Sequence, residues 1–123
     1  MAKTLELVEV FEALRGILQR HAGRLSVSED SSTGYCLVSG SHPKHKKPIP
    51  IAWVRVDKRY VSFHHMGVYA RPELLSDVSP ELRRRMQSKS CFNFRVVDQT
   101  LFSELEALTT LAFDAFRKAG YMS

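Results

Sequence analysis

Residues 49–66 read IPIAWVRVDKRYVSFHHM, two runs of β-branched and aromatic residues on either side of the polar break Asp57-Lys58-Arg59. Such runs favour extended backbone, and so short a break suits an antiparallel hairpin. Strands are therefore expected at Ile49–Val56 and Tyr60–Met66. Pro48 and Pro50 place the start of the first at an edge or a loop-to-strand transition, because proline cannot donate to a ladder.

Working outward, Leu25–Ser28 and Tyr35–Ser39 have the same texture, and Ser90–Val97 alternates Phe92, Phe94 and Val96 against Cys91, Asn93 and Arg95. The chain ends differ. Leu7, Val10/Phe11, Leu14 and Ile17/Leu18 recur at helical spacing after a Thr4 cap and before Gly23, which predicts a helix from about Thr4 to about Ala22. Asp98 caps a final helix with apolar positions Leu101, Leu105, Leu108, Ala112 and Ala115/Phe116. Between them, Arg71–Leu75 and Ser79–Leu82 are short helical starts with proline at the first position. The order predicts an α+β two-layer sandwich, a mostly antiparallel sheet of about five strands with the N- and C-terminal helices packed on one face. At 123 residues, 44% of them hydrophobic, residues 1–123 suit a single domain with one core.

No apolar run is long enough for a signal peptide or a membrane span, which implies a cytoplasmic protein without a membrane partner. Cys36 and Cys91 are then expected as reduced thiols. The net charge of +5 is a modest excess, so what matters is where the cations gather.

Alternation fixes which side chains turn away from the core. With Ala52, Val54, Val56, Val61, Phe63, Phe92, Phe94 and Val96 inward, the outer face carries Trp53, Arg55, Tyr60, Ser62, His64, Met66, Cys91, Asn93 and Arg95. Of these, Trp53, Arg55, Tyr60, His64, Asn93 and Arg95 form the candidate ligand-binding set, because aromatics beside arginines suit a base, a small anion or a protein surface. Cross-strand pairing or a covering loop accounts for the same residues without a ligand.

Other chemistries are less well served. His64 and His65 are adjacent on a strand and point to opposite faces, so they cannot chelate one ion together. His42 and His45 lie among Lys44, Lys46 and Lys47, which repel a cation. Pairing Cys91 with His64 as nucleophile and base requires their strands to be neighbours. Phosphate-loop, dinucleotide-binding, nucleophile-elbow and zinc-protease patterns are missing from the sequence, so neither catalysis nor a cofactor is expected. Arg83, Arg84 and Arg85, at about 100° per residue on a helix, are expected to fan around it.

The stretches YVSFHHMGVYARPELL (60–75), SPELRRRMQSKSCFNF (79–94) and DQTLFSELEAL (98–108) resemble the bacterial YdhG-like domains. The similarity runs from about Ile49 to Phe116 and is most specific between Arg83 and Phe94. It implies a frataxin-like fold, with helices on one face of an antiparallel sheet. One branch of that family is associated with iron delivery, and frataxins bind iron through an acidic first helix and nearby edge. That would assign Glu6, Glu9 and Glu12, with Glu29 and Asp30, to iron. Taken together, the sequence suggests a small binding or adaptor module, monomer or homodimer, taking an anion or a protein on the exposed sheet face. An iron chaperone and a nucleic-acid-binding module are the alternatives.

Overall fold

The computed structural model describes residues 2–21, 23, 25–38 and 49–118, and side chains from Glu6 onward. Helix α1 (Ala2–Arg20) leads into strands β1 (Ser26–Asp30), β2 (Gly34–Val38), β3 (Pro50–Val56) and β4 (Val61–His65). Helix α2 (Met66–Ala70), a 3-10 segment (Pro72–Asp77) and helix α3 (Pro80–Arg83) follow, then β5 (Met86–Ser88), β6 (Cys91–Phe94) and helix α4 (Gln99–Lys118). The six strands form one antiparallel sheet in the order β1-β2-β3-β4-β6-β5. This is the expected two-layer α+β arrangement with one strand more than anticipated. The extra strand, β5, is three residues long and mostly exposed, so it carries no apolar alternation to announce it.

Register builds the core from cross-strand rungs. Tyr35, Val54, Phe63 and Phe92 stand side by side on β2, β3, β4 and β6, flanked by Leu37–Ala52–His65 and by Val56–Val61–Phe94. Except for Val56, which is partly buried, all of these are buried. Val10, Phe11, Leu14, Ile17 and Leu18 of α1 and Leu101, Phe102, Leu105, Ala112, Phe113 and Phe116 of α4 close over that face. Burying each of the large side chains contributes about 1.5–3 kcal/mol relative to exposure.

Two local expectations are corrected. Val96 is not in the core: β6 stops at Phe94, and Val96 is 52% exposed in the turn toward α4. Met66 does not point outward from a strand, because β4 ends at His65, whose side chain caps α2 and packs Met66 partly against the core. Asp98 caps α4 as anticipated, accepting from the Leu101 N–H at 3.0 Å. Ser79 caps α3 and is held by Glu104 of α4, which accepts from both its backbone N–H (2.5 Å) and its hydroxyl (2.6 Å). Gly67 touches α4 so closely that a Cβ there would lie 2.8 Å from the Ala112 Cβ.

His65 is the buried polar centre of this layer. Its Nδ1 accepts from the Gly67 N–H at 3.0 Å, which leaves the ring proton on Nε2. That Nε2 has no hydrogen-bond partner among the described residues, and the ring packs edge-on to Phe113 at 4.5 Å. Burial, reinforced by His64 and His21, pushes its pKa from 6.5 down to about 3. Between those values the unfolded chain holds a proton there that the folded chain does not. Stability is therefore complete above the unfolded pKa and falls as the pH drops toward the folded one, with a slope approaching about 1.4 kcal/mol per pH unit. Half-buried His64, also lowered by desolvation, adds to the slope with the same sign. Urea unfolding at a series of pH values between neutral and mildly acidic should show this loss. His65→Asn, which keeps a cap for α2, should flatten the slope while lowering stability at neutral pH. Equal slopes in the two proteins would show that His65 is not the titrating group.

Candidate functional site

Both long helices lie on one side of the sheet, so among the described residues the opposite side is formed by the outward side chains of the strands. Its central rung runs Cys36–Trp53–His64–Cys91 across β2, β3, β4 and β6, and the next runs Gly34–Arg55–Ser62–Asn93. The members with described burial in the first rung are all half-buried. Trp53 and His64 stack with ring centroids 4.2 Å apart and planes within 7°. His64 Nε2 lies 2.8 Å from the Ser90 hydroxyl, and desolvation holds the imidazole below its ordinary pKa, so it is neutral at pH 7.

The neighbouring strands bring Cys91 directly beside His64, but the two do not form a nucleophile pair. His64 Nε2 contacts Ser90, the Cys91 sulfur turns to Asn93 Oδ1 at 3.8 Å, and burial pushes the Cys91 thiol up, away from thiolate. Ser90 itself is buried, so its hydroxyl is a structural partner of the imidazole.

Arg55 is engaged elsewhere. Gly34, its register partner, has no side chain, and the Glu29 carboxylate reaches across that gap to Arg55 Nη2 at 3.0 Å. Asp30 pairs with Arg15 at 3.6 Å, so both acids that would extend an acidic edge already face arginines. Among the described residues, no three His, Cys, Asp or Glu side chains are grouped to share a metal ion. The run Lys44–Lys47 and the pair His42/His45 lie outside the described residues.

The remaining candidate residues converge with arginines that a longer helix would disperse. Helix α3 ends at Arg83, whose Nη2 donates to the Leu75 carbonyl; Arg84 and Arg85 complete its last turn, their N–H groups donating to the Pro80 and Leu82 carbonyls at 3.0 Å. The chain turns into β5, and the Asn93 N–H donates to the Arg85 carbonyl at 2.8 Å. Arg84 and Arg85 thereby join Tyr60, Met86, Gln87, Asn93 and Arg95 around an open depression of about 290 Å³. Asn93 Nδ2 donates to Gln87 Oε1 at 3.2 Å, which fixes the amide at its floor. Arg95 also borders a second hollow of about 150 Å³ with Glu6, Leu7, Lys58 and Arg59. Among the described residues, Arg84, Arg85, Arg95, Lys58 and Arg59 form no ion pair. Asp57 lies on the same hairpin, where it raises the Tyr60 phenol pKa and binds the Lys58 N–H at 2.6 Å.

Of the six candidate residues, Tyr60, Asn93 and Arg95 thus share one cleft, Trp53 and His64 form a stack one rung away, and Arg55 is tied to Glu29. Alternation is enough to turn Asn93 outward, whereas Arg95 lies just past the end of β6, exposed in the turn. Arg84, Arg85 and Gln87 needed the length of α3, which Ser79-Pro80 starts but no residue type ends.

Comparison of the chain with models of known families, with curated proteins and with solved structures finds no match. No helix among the described residues is long and apolar enough to cross a membrane.

Trp53 is the only tryptophan, so its emission reports the stack alone. Emission should follow a single titration with its midpoint below the ordinary histidine value, as His64 becomes charged against the indole. The step should vanish in His64→Gln. A midpoint at or above 6.5 would contradict the desolvated stack.

Proposed function

We propose that this chain is a small binding module that takes a negatively charged group, a phosphate or a carboxylate, in the cleft formed by Arg84, Arg85 and Arg95 with Tyr60 and Asn93. The single observation that carries the reading is that Arg84, Arg85 and Arg95 border one depression and have no carboxylate partner among the described residues, while Arg15, Arg20 and Arg55 each have one. Guanidiniums stay charged at every physiological pH and present forked donors that match the oxygens of phosphate and carboxylate. Grouping three of them repels, and an anion relieves the repulsion. Asn93 and Gln87 add neutral hydrogen-bonding groups. Binding, not catalysis, fits a site that offers donors and no activated nucleophile. The chain is proposed as a cytoplasmic member of the YdhG-like group, a placement supported by helices packed on one face of an antiparallel sheet.

The test is an NMR titration with inorganic phosphate, following the Nε–H resonances of the arginines. Those of Arg84, Arg85 and Arg95 should move saturably while that of Arg20, held by Glu106 at 2.7 Å, stays in place. Arg84→Ala with Arg95→Ala should weaken binding by roughly tenfold or more, the loss of at least one charge-assisted bond. Uniform small shifts at all arginines would reduce the effect to ionic strength and remove the reading.

A further inference from the structure

The cleft is one part of a longer basic track. Arg95 borders both hollows, and the smaller one continues past Lys58 and Arg59 to Glu6 and Leu7 of α1, so five cations without ion pairs among the described residues run from the cleft round the hairpin end of the sandwich toward the helix layer. Both hollows are open surface depressions. Small-molecule sites are usually concave and cover most of their ligand, which these do not. A polymer that collects many shallow contacts along a row of charges suits the shape better.

The sheet face that carries Asn93 supplies the second element. The Trp53–His64 stack lies on the rung next to Ser62–Asn93, two residues along the strand, or about 7 Å. That is the scale of the separation between base and phosphate within one nucleotide. Neutral aromatic rings beside a basic track on an open antiparallel sheet are the combination that holds unpaired nucleotides, with phosphates on the cations and bases on the rings.

We infer that the anion recognised by the open face is the backbone of a single-stranded nucleic acid, its phosphates on Arg84, Arg85 and Arg95 and an unpaired base against Trp53–His64. This inference rests on the arginine-cleft reading and narrows it. Two fixed negative charges set the limits of the track: Glu6 lines the Lys58–Arg59 hollow, and Asp57 stands beside the cleft, bonded to Tyr60.

The experiment titrates the full chain with a fluorescently labelled twelve-nucleotide oligouridylate, with the matching RNA duplex, and separately with inorganic phosphate. The oligouridylate should bind, quench Trp53, and weaken linearly with the logarithm of salt. In Arg84→Ala/Arg95→Ala the logarithmic salt slope should flatten by about 1.4, because each lost single-strand phosphate contact removes about 0.7. Trp53→Phe should weaken binding without altering that slope, and the wild-type quench reports the stack even if that variant folds poorly. Phosphate binding in the cleft without oligouridylate binding overturns this inference and leaves the cleft reading standing, whereas binding of neither removes both. Duplex binding as tight as single-strand binding, no Trp53 quench, or oligouridylate affinity unchanged in the arginine variant each overturns it too. Self-association through this face, seen by sedimentation velocity and competing with oligouridylate, would assign the face to a second copy of the chain instead.

Discussion

The contact of Phe63 with Phe92 across β4 and β6, continued through Val54 to Tyr35, is the row on which the rest of the molecule is laid. Both phenylalanines are fully buried, and each fixes the register of its strand, since a one-residue slip would turn the ring to solvent. Once that row faces the helices, the intervening residues are committed to the other side. Trp53, His64, Cys91 and Asn93 are outward because Val54, Phe63, Phe92 and Phe94 are inward. The candidate site is therefore a consequence of core packing, and its residues cannot move between faces without unfolding the sheet.

The arginines follow from a second, smaller constraint. Ser79 is bonded twice to Glu104, and α3 is only four residues long, so the chain reaches β5 with Arg84 and Arg85 beside Asn93. A longer helix would have spread those charges around its axis. Several arginines elsewhere are neutralised: Arg20 makes a two-pronged bond to Glu106 across α1 and α4, and Arg55 reaches Glu29 over Gly34. Glu106 is held below the ordinary carboxylate range by that bond to Arg20, although both groups are exposed enough that the stabilisation is modest. Against this background, Arg84, Arg85 and Arg95 share one cleft with no carboxylate partner among the described residues.

Much of this was legible in the residues. The hairpin around Asp57-Lys58-Arg59, the two long amphipathic helices and the inward set on β3 and β4 follow from period-two and period-3.6 patterns long enough to be unambiguous. What was hidden is short. Helix α2 has five residues and begins where His65 leaves the strand to accept from the Gly67 N–H, a tertiary event that makes Met66 read as one more strand position. Strand β5 is defined by pairing with β6, not by its own composition. Val96 has the residue type of a core strand, but the ladder ends two residues before it. The site shows the same division: Asn93 follows from alternation, whereas Arg95 sits past the end of β6 and its meeting with Arg84 and Arg85 depends on where short elements stop.

The central claim is that Arg84, Arg85 and Arg95 are exposed and without an ion-pair partner among the described residues, whereas Arg15, Arg20 and Arg55 are each held by a carboxylate. Arginine modification with phenylglyoxal, read peptide by peptide by mass spectrometry, measures this directly. The account predicts that Arg84, Arg85 and Arg95 react faster than Arg15, Arg20 and Arg55, and that inorganic phosphate protects the first three and leaves the others unchanged. Equal rates at all six, or protection by phosphate that does not favour the cleft, would contradict it.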